Sequence, residues 1–367
     1  MEALLDLLLA LEGELRAASG GTSNPFAGDD HFNDWALRIR EAQSRAYPVL
    51  RRFWATRSQV APTHWTDIPP VPAEAFKALP LGPPDAEAVF RTSGTSRSRA
   101  RRGEHRIARL SLYHAAARGP YRAALFQGVP KVRVLSLIPH PEGAPESSLA
   151  RMAGFIAEED EVDDAAWHFR PDRGVNVEEC VHWLRAAERG DLPVLVLTTA
   201  FALVQLLDRL ADGPVGLPEG SALMETGGFK GADVSIDRAD LYLLVARRLG
   251  IAPASIVGEY GMTELLSQSY DARVGSASAL AKRRHRFPPW VRTRVLDPST
   301  LRPAAPGLRG LLCHFDLANA GSVCHVLTED VGIMDEDGGF RLLGRASGSE
   351  TRGCSLMAES FVRSVQG

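Results

Sequence analysis

Between Lys131 and Glu264 the chain repeatedly sets an apolar run of strand length before a turn or a helix-like segment. KVRVLSLIP, LPVLVLTTA, SALMETGGFKG and ASIVGEYGMTE are such runs, and FALVQLLDRL and DRADLYLLVARRLG are helical segments that follow two of them. Short continuous apolar runs suit strands covered on both faces, and strands alternating with helices imply a doubly wound α/β sheet. Gly250 closes the second helical segment as a C-cap. From Pro288 the texture changes to short strands separated by turns, WVRTRVLD, GLLCHFDL, SVCHVLTED and GFRLLGR, so a β-rich subdomain is expected after the α/β body.

The opening MEALLDLLLALEGELRAASGG carries Glu2, Asp6, Glu12 and Glu14 and no positive flank, which reads as an amphipathic helix rather than a signal peptide. A helical pattern from Phe32 to about Arg57 precedes WTDIPPVPAEAFKALPLGPP, whose prolines forbid a long helix and suggest an extended wrapping segment. At 367 residues with 45% hydrophobic composition, the chain can bury a large core. A net charge of −3 implies neither nucleic acid nor an anionic membrane as partner. No uncharged apolar run approaches the roughly 18 residues of a membrane span. Four scattered cysteines point to reduced thiols and a cytoplasmic location. Two of them stand in Cys313-His314 and Cys324-His325. Strand neighbours face opposite ways, so neither pair is expected to hold one metal ion.

The stretch FRTSGTSRSRARRGEHRI is the strongest local signal of chemistry. Hydroxyls and exposed N–H groups in a glycine-containing turn can wrap an anion, and guanidiniums add charge suited to phosphate. The competing reading is a polar loop beside a solvated basic face. The arginines themselves could clamp pyrophosphate, meet a partner or be solvated.

TSGTS (92–96), YGMTE (260–264), TEDVG (328–332) and LGR (343–345) occur in the order of the core motifs of the adenylate-forming superfamily, which they resemble. WTDIPPVPAEAFK, TGGFKG, FPPWVRTRVLDPSTLRPAAPGLRGLL and RGCSLMAESF sharpen the resemblance to the acyl-protein synthetases, the long-chain-fatty-acid protein ligases of bacterial bioluminescence, over nearly the whole chain from about Trp35. The resemblance implies an adenylate-forming large-domain fold, of doubly wound α/β subdomains plus a C-terminal β-rich subdomain. The expected divisions are a helical and wrapping segment at 1–85, the nucleotide- and acyl-binding body at 86–287, the β-rich subdomain at 288–345 and a tail at 346–367.

It also implies the activity: ATP-dependent activation of a carboxylic acid, a fatty acid first among them, as its acyl-adenylate, then transfer to a cysteine. ATP and Mg²⁺ are the implied cofactors, and an acyl reductase or other acyl-accepting protein the implied partner. The alternative is a ligase that delivers the acyl group directly to CoA or an amine.

By the same resemblance Thr92, Ser93, Gly94, Thr95 and Ser96 would cradle the β- and γ-phosphates. Gly227, Gly228 and Phe229 would border the purine, and Tyr260, with Gly261 and Met262 beside it, would stack on adenine. Thr263 would bond the α-phosphate, Glu264 would ligate Mg²⁺, and Asp330 would accept from the ribose hydroxyls. His140 stands at a position resembling the superfamily's strand-end residue that borders the acid channel, which would make it a gate or orienter; the alternative is a helix-start histidine with a satisfied hydrogen bond.

Relatives carry a further mobile domain with a catalytic lysine past the position of Arg345. This chain ends at Gly367, so that domain is expected to be absent and Lys230 or Arg345 to supply the cation. Cys354, flanked by Arg352, Gly353 and Ser355, is the expected acyl acceptor. An ordinary thiol is only a few per cent thiolate at neutral pH, and a neighbouring guanidinium raises that fraction.

Overall fold

Leu4, Leu8, Leu11 and Leu15 recur at helical spacing, and α1 (Glu2–Gly20) buries all four. The expected helical pattern from Phe32 to Arg57 resolves into two helices, α2 (Asp29–Ala46) and α3 (Pro48–Arg57). The break falls at Tyr47, which is extended at φ −119°, because Pro48 lacks an N–H and takes the first position of α3. The proline-rich stretch yields only a two-residue strand, β1 (Val71–Pro72), and one helical turn, α4 (Ala75–Ala78). Strands β2 (Ala88–Arg91) and β3 (Glu104–Ile107) pair antiparallel, with Arg91 opposite Glu104.

In this computed structural model the chain forms two units. The first comprises residues 1–119, 262–268 and 286–367; the second comprises 120–261 and 269–285. The structure describes residues 2–20, 24–92, 102–128, 131–211, 213–227, 236–347, 357–359 and 361–363.

Helix α5 (Leu110–Leu125) leads into the second unit. There follow β4 (Val132–Ser136), α6 (Ser148–Ala157), β5 (Val162–Trp167), the ribbon of β6 (Phe169–Arg170) and β7 (Gly174–Val175), and α7 (Val177–Ala187). Then come β8 (Val194–Thr199), α8 (Ala200–Arg209), β9 (Ala222–Thr226), α9 (Arg238–Leu249), β10 (Ile256–Tyr260) and β11 (Ser269–Tyr270). Six strands form one sheet in the order β11-β10-β9-β8-β4-β5, parallel except for β11.

The sheet holds because Leu135, Val194, Val196, Leu223 and Ile256 pack on Leu203, Leu207 and Val245 of the covering helices. Each such side chain contributes roughly 1.5–3 kcal/mol on burial. The strand order reverses between β4 and β8, and open α/β sheets bind ligands beyond the strand ends at that point.

The chain returns to the first unit with β12 (Val291–Leu296), β13 (Arg309–Asp316), β14 (His325–Met334) and β15 (Phe340–Arg345), the strands expected from the alternation after Pro288. β12, β13 and β14 run antiparallel in sequence. The opposite edge of β14 is shared: β1 pairs parallel with it at Val326 and Leu327, and β15 pairs antiparallel from Asp330 to Met334. The chain therefore leaves β1 in the direction of β14, and α4 lies toward Asp330. Ala73 N–H continues that pairing by donating to the Leu327 carbonyl.

Candidate active site

Residues 262–268, which carry the second half of YGMTE, belong to the first unit and are held almost wholly by side chains remote in sequence. Asp316, at the end of β13, accepts from Leu266 N–H at 3.1 Å and Ser267 N–H at 2.9 Å, and from Ser267 Oγ at 2.8 Å. Asn319 donates to the Glu264 carbonyl at 2.7 Å and accepts from Leu266 N–H at 2.9 Å. Burial pushes the Asp316 carboxyl up to about 6 against these hydrogen bonds. From the other side His105 Nδ1 meets the Thr263 carbonyl at 2.7 Å, and its Nε2 meets Ser322 Oγ at 2.6 Å. A carbonyl can only accept, so Nδ1 bears the proton and Nε2 accepts. Burial lowers this imidazole to about 4, so it is neutral near pH 7.

So fixed, Glu264 presents a buried carboxylate. Burial raises it to about 7; its own backbone N–H, Arg345 and Lys77 pull it down, while the Asp330 charge pushes it up. Asp330 is buried on β14 opposite Arg345 of β15. Arg345 donates from Nη1 to Glu329 Oε2 at 2.8 Å and lies 3.4 Å from Asp330 Oδ1 through Nε. Thr263, Glu264, Asp330 and Arg345, read from three motifs, thus belong to one unit, and the last three interact.

Thr92, the last described residue before the TSGTS stretch continues, is tied to Gly103 and Arg102. Its N–H donates to the Gly103 carbonyl at 3.0 Å and its Oγ accepts from Gly103 N–H at 2.9 Å, while Arg102 donates to its carbonyl at 2.7 Å. Ser93, Gly94, Thr95, Ser96, Gly228, Phe229, Lys230 and Cys354 lie outside the described residues.

The second unit holds the remaining candidates. Gly227 follows β9 at φ +74°, a left-handed geometry that favours glycine. Tyr260 is buried at the end of β10, its ring edge-on to His285 with centroids 5.9 Å apart. Gly261 follows it in this unit, whereas Met262 opens the segment in the other. His140, beyond β4, is half-exposed and edge-on to Trp167 at 4.9 Å.

Beneath these strand ends runs a buried charge network. Arg238 Nε donates to Glu225 Oε1 at 2.9 Å, and its Nη2 lies 2.9 Å from Asp271 Oδ2, an ion pair without an aligned hydrogen bond to that oxygen. Tyr242 donates to Glu225 at 3.0 Å, and Asp271 Oδ1 accepts from Gly258 N–H at 2.8 Å. A Cβ on Gly258 would fall 1.8 Å from Arg238 Nη2, so β10 needs glycine for the guanidinium to cross it. Glu259 accepts from the Thr226 hydroxyl.

The Cys-His dipeptides also separate by strand face. Cys313 Sγ meets His325 Nε2 at 3.3 Å, while His314 pairs with Thr293 at 2.9 Å. Burial lifts Cys313 to about 12 and lowers His325 to about 3, so both are neutral core groups. Cys180 and Cys324 are buried as well.

The chain matches the family model described as acyl-protein synthetase, LuxE, over residues 177–362, just over half its length. It belongs to the acyl-protein synthetase family. A long-chain-fatty-acid–luciferin-component ligase of Vibrio harveyi is 28% identical over 150 residues, 38% of this chain and 38% of that protein. The ligase of the same name from Aliivibrio fischeri is 44% identical over 55 residues, 15% and 14% of the two chains. The aligned stretches thus span well under half of these curated relatives.

Among solved structures, a 2-hydroxyisobutyryl-CoA ligase in an open conformation with 2-HIB-AMP and CoA overlays with a TM-score of 0.62 and 15% identity, covering 86% of this chain and 74% of that one. A long-chain-fatty-acid–CoA ligase from Archaeoglobus fulgidus overlays at 0.50 with 13% identity, covering 72% and 52%. The fold of this family member is that of the adenylate-forming ligases.

Mg²⁺ takes oxygen ligands and keeps several waters and phosphate oxygens, needing only one or two carboxylates. Glu264 beside Asp330 fits that demand, and among the described residues no side chain hydrogen-bonds the Glu264 carboxylate. No described helix is long and apolar enough to cross a membrane. His105, Asp316 and Asn319 escaped the sequence reading. A histidine two residues past a glycine in a basic run, and an Asp-x-x-Asn at the end of a strand, were the traces they left.

Proposed function

We propose that this acyl-protein synthetase family member uses ATP to activate a carboxylic acid, with a fatty acid the first candidate, and collects the acyl group on Cys354. The observation that carries the reading is the grouping of Glu264 and Asp330, buried carboxylates from two motifs, with Arg345. Glu264 would hold Mg²⁺ beside Asp330, and the ion would offset phosphate charge. Asp330 would accept from ribose hydroxyls once Arg345 turns toward phosphate, and Thr263 would donate to the α-phosphate. In the second unit Tyr260 and the turn at Gly227 are assigned the purine.

In the first step a substrate carboxylate oxygen attacks the α-phosphorus. An O–P bond forms, and the bond to the bridging oxygen breaks with its electron pair leaving on pyrophosphate. In the second, the Cys354 thiolate attacks the acyl carbon and AMP departs with the electrons of the acyl C–O bond, leaving a thioester. Delivery from Cys354 to an acyl reductase or another acyl-accepting protein completes the proposal.

The test pairs acid-dependent ATP–pyrophosphate exchange with retention of radiolabelled acyl groups on the protein, for the parent and for Cys354→Ser. The substitution is expected to keep exchange and lose the stable label. An unchanged label removes Cys354 from the scheme, and turnover by Cys354→Ser with CoA or an amine present favours direct delivery to those acceptors.

A further inference from the structure

Lys77, in the stretch that reads as a mere wrapping segment, sits where the proposed chemistry needs a cation. It is the third residue of the single turn α4. That turn is placed by two anchors: the parallel pairing of β1 on β14, and Phe76, which is buried and edge-on to His105 at 5.4 Å. His105 is the residue that holds the Thr263 carbonyl. The lysine stem lies beside the Thr92–Gly103 pairing: a Cβ on Gly103 would lie 3.5 Å from Lys77 Cγ and 3.1 Å from Thr92 Cγ2. From there the ammonium acts electrostatically on Glu264.

The neighbouring cations have partners in this structure. Arg345 is paired with Glu329 and Asp330, and Arg102 donates to the carbonyls of Thr92 and Arg91. Among the described residues no hydrogen bond or ion pair of 4 Å or less reaches the Lys77 ammonium. It also lines an open cleft of about 560 Å³ with Glu74, Ala78, Ala358 and Val362, so it has room to move. A surface lysine with nothing to do would be expected to drift toward Glu74 or Glu359 on that cleft, and neither forms an ion pair with it.

We propose that Lys77 is a catalytic residue of the adenylation step, its ammonium touching the phosphate oxygens of ATP as the substrate carboxylate approaches. That approach brings two anions together, and the departing pyrophosphate takes the electron pair of the broken P–O bond. No proton need move; a compact ammonium on a flexible stem can follow the charge. The inference rests on the ATP-dependent reading above.

The experiment measures acid-dependent ATP–pyrophosphate exchange in the parent, Lys77→Met and Lys77→Arg, with ATP affinity by calorimetry and the melting temperature of each. Lys77→Met should lower the exchange rate by about 10²-fold, the usual loss when one preorganised electrostatic partner is removed. Its melting temperature should stay at the parent's, and its ATP affinity should change far less than its rate. Lys77→Arg, and methylammonium added to Lys77→Met, should restore part of the rate. Exchange by Lys77→Met within about threefold of the parent overturns the role of Lys77 while leaving the adenylation reading intact. Absence of exchange in the parent overturns the reading and Lys77 with it. Should Lys77→Met fail to fold, Lys77→Gln is judged on the same criteria.

Discussion

In the second unit Arg238 reaches Glu225 at 2.9 Å and Asp271 at 2.9 Å, and Tyr242 closes on Glu225 at 3.0 Å. In the first unit Glu264 is as buried, yet among the described residues only its own N–H bonds its carboxylate, and its cations act at a distance. One network spends its charges on itself and ties β9, β10, β11 and α9 together. The other keeps a carboxylate and an ammonium uncommitted inside a frame made rigid by Asp316, Asn319 and His105. Buried charge that is paired specifies a fold, whereas buried charge left without a close partner is costly unless a ligand completes it. The difference separates a scaffold from a site, and substitutions in the two regions should fail in opposite ways.

The largest effect is expected in the scaffold. Arg238→Met strips the shared cation from Glu225 and Asp271, both deeply buried, and breaking such a pair costs about 3–5 kcal/mol. The guanidinium is itself 37% exposed, which places the expected loss near the lower end. Denaturant unfolding should register a destabilisation of about 3 kcal/mol, with activity per folded molecule reduced far less. If stability holds while exchange vanishes, the network is part of the site and the comparison breaks.

Glu264→Gln should do the reverse. Removing a carboxylate that holds a metal–phosphate complex is expected to cut acid-dependent pyrophosphate exchange by about 10²-fold, or about 2.7 kcal/mol. The melting temperature should stay level or rise, because the buried charge no longer has to be desolvated. A fall in stability with exchange intact would make Glu264 a structural acid like those around Arg238.

How far this division was legible in the sequence depends on what made each part. The parallel strands were plain in KVRVLSLIP and LPVLVLTTA because a strand covered on both faces leaves a continuous apolar run. The break at Pro48 was hidden by a hydrophobic period that continues across it, while the proline's missing N–H decides the structure. Glu264, Asp330 and Arg345 stood out only because a family pattern holds them in order; nothing local marks them as neighbours. Asp316, Asn319 and His105 left almost no trace. They act through side-chain bonds to backbone groups about 50 to 160 residues away, and such bonds impose no periodicity. His105 is hidden inside an arginine-rich run that draws attention to its charges, whereas burial makes this side chain a neutral imidazole. Lys77 was lost in the same way, inside a proline-rich stretch whose strand is only two residues long.

The smallest effect sharpens the comparison from within the scaffold. Glu259, on β10, accepts from Thr226 and is raised from 4.5 to about 7, by burial first, with the charge of Glu225 adding and the Thr226 hydroxyl opposing. Its folded value exceeds its unfolded one, so between about pH 4.5 and 7 the folded state keeps a proton that the unfolded state releases. The stability linked to that proton is fully present below about 4.5 and is lost as pH rises through about 7. Gln mimics the protonated acid at every pH. Glu259→Gln should therefore match the parent near pH 5 and exceed its stability at pH 8 by roughly 2 kcal/mol, discounted from about 1.36 kcal/mol per pKa unit for relaxation around a buried charge. Paired denaturation curves at the two pH values test this. Parallel curves would mean that Glu259 keeps its charge in the folded state across this range and is not a strained acid.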